Sequence, residues 1–83
     1  MARRNTLIAL RRQRNWLQKD VVENLRRKFG IKITVSYYGM IEQGVRTPNL
    51  ELAIAIAELF GQSVREVFFD KENNKLLSEI QAG

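Results

Sequence analysis

The sequence predicts an all-α fold, a compact bundle of five helices, and three observations carry that prediction. Apolar residues recur at helical spacing in successive segments of the chain. Gly30, Gly44 and Gly61 punctuate those segments, and helix-starting residues such as Thr34 and Ser63 stand in front of two of them. The one strand-like alternation, Ile31-Lys32-Ile33, is long enough only for an extended connection. With 83 residues the chain has room for one small domain, and a core of that size buries only roughly 60% of the unfolded surface.

Each element follows from local pattern. Asn5 or Thr6 is expected to cap a first helix whose face carries Leu7, Leu10, Arg11 and Arg14, and Asn15 with Trp16 ends it. A second helix opens near Leu17 or Gln18 and turns Val21, Val22, Leu25 and Phe29 inward. Its acids, Asp20 and Glu23, come early, and its bases, Arg26, Arg27 and Lys28, come late, which suits the helix dipole. Gly30 fits a left-handed C-terminal cap. Thr34 then caps a third helix from about 35 to 43, stopped by Gly44. After Pro48, the run Leu50, Leu52, Ala53, Ile56, Ala57, Leu59 and Phe60 is apolar on almost every side, which marks a central buried helix. Ser63-Val64-Arg65-Glu66 forms a capping box that opens a fifth helix with Val67 and Phe68. Residues 70–83 read as a short sixth helix or a tail, and residues 1–69 as the domain proper.

Composition removes several function classes. The chain contains neither cysteine nor histidine, so a disulfide framework and the usual zinc sites are excluded. The same lack leaves no thiol or imidazole for nucleophilic or general-base chemistry, and the nine carboxylates form no evident metal-binding pair. An enzyme is therefore not expected, and neither a cofactor nor a metal. No apolar run approaches the roughly 20 residues of a membrane span, and no signal-peptide core follows the basic start, so a cytoplasmic protein is expected.

Charge points to a partner. Residues 1–46 hold eleven Lys and Arg against Asp20, Glu23 and Glu42, a balance of +8, whereas residues 47–83 carry −3, for a net charge of +5. A compact domain with one strongly basic half suits a polyanion, above all nucleic acid, although a merely solvated basic surface has the same composition.

Six short motifs occur in a specific order: Leu7-x-x-Leu10-Arg11, Gln18 opening helix two, Ile41-Glu42-Gln43-Gly44, Arg46-Thr47-Pro48, the following Ile-Ala helix with Ile56 and Ala57, and Ser63-x-x-Glu66-x-Phe68. Over roughly residues 5–69 this order resembles the helix-turn-helix domain of the Cro and phage-repressor (XRE) family. The resemblance implies a lambda-repressor-like DNA-binding bundle and a homodimer that reads an inverted-repeat operator in double-stranded DNA. One departure is evident. Gln18 and Glu42 stand 24 positions apart, about six more than the family's usual spacing, so helix two is lengthened by about a turn and the usual tight turn into helix three is widened.

The resemblance also implies site residues. Helix three turns Tyr38 and Ile41 to the core, with Tyr37 beside them, and presents Val35, Ser36, Gly39, Met40 and Gln43 on the opposite side. Thr34, Val35, Ser36 and Met40 match positions that enter the major groove, with Tyr37 at its edge. Gly39 either marks a close approach of the partner or packs against helix two. Gln18 matches a phosphate-contacting residue, and Lys19, Arg46 and Arg3 or Arg4 are further backbone contacts. Arg11 and Glu42 pair with each other inside the domain and set the angle of helix three. Candidates for the dimer surface are Val67, Phe68, Phe69, Leu76, Leu77 and Ile80, which pack equally well on their own domain. A second reading is an antitoxin-like or co-regulator module whose main partner is a protein bound through the tail, with DNA binding secondary.

Overall fold

The computed structural model describes residues 3–69, in which five helices follow in order: α1 (Asn5–Gln13), α2 (Gln18–Phe29), α3 (Val35–Glu42), α4 (Leu50–Leu59) and α5 (Val64–Phe68). The expected sixth helix or tail lies outside the described residues. No helix among those described is long and apolar enough to cross a membrane.

Local chemistry explains most of the boundaries. The N–H of Leu17 donates to the Asp20 carboxylate at 2.7 Å, which anchors the first turn of α2. At its other end Gly30 takes φ +69°, and its N–H and that of Ile31 close onto the carbonyls of Arg26 and Leu25. Thr34 accepts a hydrogen bond from the N–H of Tyr37 at 3.0 Å, Asn49 accepts one from Leu52 at 2.8 Å, and Ser63 and Glu66 complete a reciprocal box. The first helix departs from expectation. It begins at Asn5 with Arg4 in the cap position, so neither Asn5 nor Thr6 is the cap. Arg4 is held there by tertiary contacts, which substitute for a local signal.

The central helix is α4, whose Leu52, Ala53, Ala55, Ile56, Ala57 and Leu59 are buried. Around it pack Leu7 of α1, Val21 and Leu25 of α2, Tyr38 and Ile41 of α3, and Val67 and Phe68 of α5. α2 contacts both α3 and α4, and α5 lies against α1 and α4. Val67 and Phe68 are thus core residues and are not available to a second copy, whereas Phe69 remains 41% exposed. The other expected dimer residues, Leu76, Leu77 and Ile80, lie outside the described residues.

At the far end of α4 the α1–α2 turn is closed by aromatic packing. The Trp16 and Phe60 rings lie 5.8 Å apart, and the Arg14 guanidinium stands over both, at 5.6 and 5.0 Å from their centroids. Arg14, expected on the inner face of α1, therefore reaches the core only at its rim. The link between α2 and α3 is five residues, 30–34, in which Ile31 and Ile33 rest on the core and Lys32 points out. This is the widened connection the sequence spacing implies, and it holds α3 without a tight turn.

Leu25, fully buried between α2 and α4, tests the core. Leu25→Ala is expected to lower stability by about 2–5 kcal/mol, as read by urea unfolding followed through the fluorescence of Trp16. A loss below about 1 kcal/mol would mean that α2 does not close on this core.

Candidate nucleic-acid interface

α3 is eight residues long, too short to be stable or to hold its own orientation. Its position is imposed from behind. Tyr38 and Ile41 are fully buried, and Glu42, the one buried charged residue among those described, is 2% exposed. The Glu42 carboxylate accepts from Arg11 Nε at 2.7 Å and Nη2 at 3.1 Å, a bidentate pair, and from Gln18 Nε2 at 3.1 Å. Arg11 Nη1 donates onward to the Trp16 carbonyl at 2.8 Å. One carboxylate therefore ties the end of α3 to α1, to the start of α2 and to the turn between them. The pair is desolvated, with side chains only 11% and 3% exposed. The hydrogen bond to Glu42 raises the Arg11 pKa further above its ordinary value, against the opposing effect of burial.

Tyr38 lies beside this network. Its hydroxyl is buried without a hydrogen bond of good geometry among the described residues. Burial first, and the Glu42 carboxylate second, push its pKa well above the ordinary tyrosine value.

Three expected contacts are redirected. Gln18 does not point outward, because its amide is engaged by Glu42. Gly39 is buried and does not share the outer face, for a Cβ placed on it would lie 3.1 Å from Gln18 Oε1. The glycine gives the Gln18 amide the space it occupies between α2 and α3, so the close approach is internal. Arg4 is the third correction. It was expected to reach a phosphate, and instead its guanidinium is turned inward onto the carbonyls of Ile41 and Arg46.

What remains outside forms a continuous surface. Val35 is 42% exposed, Ser36 and Gln43 are exposed, and Met40 and Tyr37 are half-buried. Thr34 is exposed and caps α3. Beside this helix runs an open groove, lined by Thr34, Ser36, Tyr37, Met40, Arg46 and Thr47, between α3 and the turn that follows it. On the other side of the α3 terminus lies a smaller polar cleft of about 190 Å³, lined by Arg3, Arg11, Arg12, Gln18, Glu42 and Gln43. Since Glu42 neutralises Arg11, the cleft keeps the charge of Arg3 and Arg12. Lys19 and Arg46 are exposed nearby in sequence, on α2 and on the turn. Arg12 was not singled out from sequence. Its signal was its place one turn beyond Ile8, on the flank of α1 that does not carry Leu7 and Leu10.

A five-helix bundle whose third helix is pinned by Arg11 and Glu42 with one side left open to solvent is the geometry of a helix-turn-helix unit, and a family model described as helix-turn-helix matches residues 7–67. The protein belongs to the XRE helix-turn-helix family. No curated protein and no solved structure matches the chain. Within this family of DNA-binding regulators α2 and α3 are the helix-turn-helix pair, here joined by residues 30–34.

The network predicts two outcomes. Arg11→Met leaves Glu42 buried without its counter-charge and is expected to cost about 3–5 kcal/mol of stability, measured by urea unfolding; a cost near zero would mean that Glu42 is solvated in solution. Tyr38 predicts an alkaline limit. Its folded pKa is raised, so its contribution is complete below the unfolded value of about 10 and is lost as pH rises beyond it, where the unfolded tyrosine ionises and the folded one does not. Stability should therefore fall more steeply above about pH 10 in the wild type than in Tyr38→Phe, and parallel pH profiles would contradict the burial.

Proposed function

We propose that the protein is a sequence-specific transcriptional regulator, a repressor, whose homodimer places α3 in the major groove of an inverted-repeat operator. The observation that carries this reading is the two-sidedness of α3: Tyr38, Ile41 and Glu42 are locked into the bundle, while Val35, Ser36, Met40 and Gln43 reach solvent. In a groove, Val35 meets a thymine methyl, Ser36 donates or accepts at several base edges, and Met40 supplies adaptable apolar contact. Gln43 is the member of this face with a side-chain amide, the group that pairs with the N6 and N7 edge of adenine. Gly39 contributes no contact and acts by letting Gln18 in behind the helix.

Phosphates supply most of the affinity. Arg3 and Arg12 at the polar cleft, Lys19 on α2 and Arg46 on the turn are the cations free to meet a backbone on either side of α3, with the Thr34 hydroxyl beside the groove. Gln18 serves this arrangement through Glu42. Two copies of the domain on adjacent half-sites would set their recognition helices roughly 34 Å apart. The division of roles is therefore base contacts from one side of α3 and backbone contacts from α1, α2 and the turn.

The test is selection of sites from random duplex DNA, followed by affinity for the enriched site across a salt series. Ser36→Ala and Met40→Ala are expected to relax the base preference, whereas Arg12→Ala and Arg46→Ala weaken all sequences alike and each flatten the log–log salt slope by about 0.9. Enrichment of an inverted repeat supports the dimeric reader. No enrichment, with binding that vanishes at moderate salt, overturns it and directs attention to a protein partner.

A further inference from the structure

Arg4 makes more polar contacts across the fold than its place ahead of the first helix would suggest. Its Nη1 donates to the Ile41 carbonyl at 2.6 Å and to the Arg46 carbonyl at 2.9 Å, and its Nη2 approaches Thr47 Oγ1 at 3.5 Å. Its main-chain N–H donates to the Glu42 carbonyl at 2.8 Å. The guanidinium stands over the Phe68 ring of α5, 5.4 Å from its centroid. Among the described residues its side-chain hydrogen bonds end on carbonyl and hydroxyl oxygens, and none on a carboxylate. It sits where a cation belongs, at the negative end of α3, against the orphan carbonyls of the last turn. Burial lowers its pKa from the ordinary arginine value.

The turn after α3 shows what this arrangement does. The N–H of Arg46 donates to the Met40 carbonyl at 3.2 Å, and the N–H of Val45 donates to the same oxygen at 3.0 Å. Arg46 is thus held by α3 through its N–H and by Arg4 through its carbonyl. A residue pinned on both sides launches its side chain from a fixed point. Without Arg4 the turn keeps its N–H bonds to the Ile41 and Met40 carbonyls, and the Arg46 carbonyl loses its link to Arg4 and the α5 side.

We infer that Arg4 is a positioning residue for DNA recognition: it locks the turn after the recognition helix so that Arg46 is presented to the phosphate backbone, and does not itself contact DNA. The inference rests on the DNA-reading function proposed above. The guanidinium is required because two carbonyls and a ring face are satisfied together, which a planar delocalised cation does and a lysine ammonium does only in part. Arg46 then binds without the entropy cost of ordering its turn.

A double-mutant cycle tests this, with the intact chain and the enriched duplex, for wild type, Arg4→Met, Arg46→Ala and the double variant. Folding is monitored by circular dichroism and Trp16 fluorescence, and Arg4→Lys is carried in parallel as a variant that keeps the cation. The expected result is that Arg4→Met flattens the salt slope by about 0.9, as Arg46→Ala does, and that the double variant is no flatter and no weaker than either alone. Arg4→Lys should fall between wild type and Arg4→Met. A double variant whose slope falls by about twice that amount would mean that Arg4 touches phosphate directly, and overturns the inference. A lowered melting temperature with an unchanged slope would make Arg4 a brace of the fold only, and also overturns it. A wild type that binds no DNA at any salt would instead overturn the function on which the inference rests.

Discussion

The Glu42 carboxylate is the constraint on which the rest of the arrangement depends. A carboxylate this deeply buried is tolerable only when its lone pairs are filled, and three donors fill them, two from Arg11 and one from Gln18. Those donors come from different helices, so the electrostatic requirement becomes a geometric one: α1, the start of α2 and the end of α3 must meet at one point. A buried ion pair is weak evidence for added stability and better evidence for a single arrangement. An eight-residue helix cannot hold its own orientation, and the shared carboxylate gives it a single one. Gly39 follows from the same requirement, since the Gln18 amide occupies the space that a side chain there would fill.

Seven of the basic residues in this domain divide into two groups by what they face. Arg4, Arg11 and Arg14 are turned to carbonyls, a carboxylate and aromatic rings. Arg3, Arg12, Lys19 and Arg46 surround α3 from the outside. The inward group consists of arginines alone, in keeping with a weakly hydrated, planar cation that tolerates burial and binds in several directions at once. The positive half of the chain is therefore only in part an electrostatic surface. Some of its charge is structural, and it shapes the place from which the remainder acts.

All five helices and most of their ends are legible in the sequence, because the signals that set them are local. The Thr34 cap, the left-handed Gly30, the Ser63 and Glu66 box and the apolar run of α4 each act within a few residues of themselves. The start of α1 departs from its local pattern for the complementary reason: Arg4 is held there by Ile41, Glu42 and Arg46, 37 or more positions away, and no pattern around Asn5 or Thr6 reports such contacts. The outer side of α3 was legible at Val35, Ser36 and Gln43, where a residue's angle on the helix decides its exposure. Spacing failed at Gly39, because a position that looks outward on an isolated helix is covered when a neighbouring helix reaches across it.

What the sequence determined by itself was the class of fold, the order of its elements, the pairing of Arg11 with Glu42 through family likeness, and the concentration of positive charge in the first 46 residues. Apart from that pairing, these are properties of periodicity, capping and composition, which act over a turn or two of chain or over the whole of it. The tertiary structure alone decided which polar side chains face inward: Gln18 toward Glu42, Arg4 toward the end of α3, Arg14 over Trp16 and Phe60, and Arg12 left at the polar cleft. The physical reason is reach. A long side chain with several donors can satisfy itself on any acceptor the fold brings within its radius, and which acceptors arrive there is fixed by the packing of helices distant in sequence.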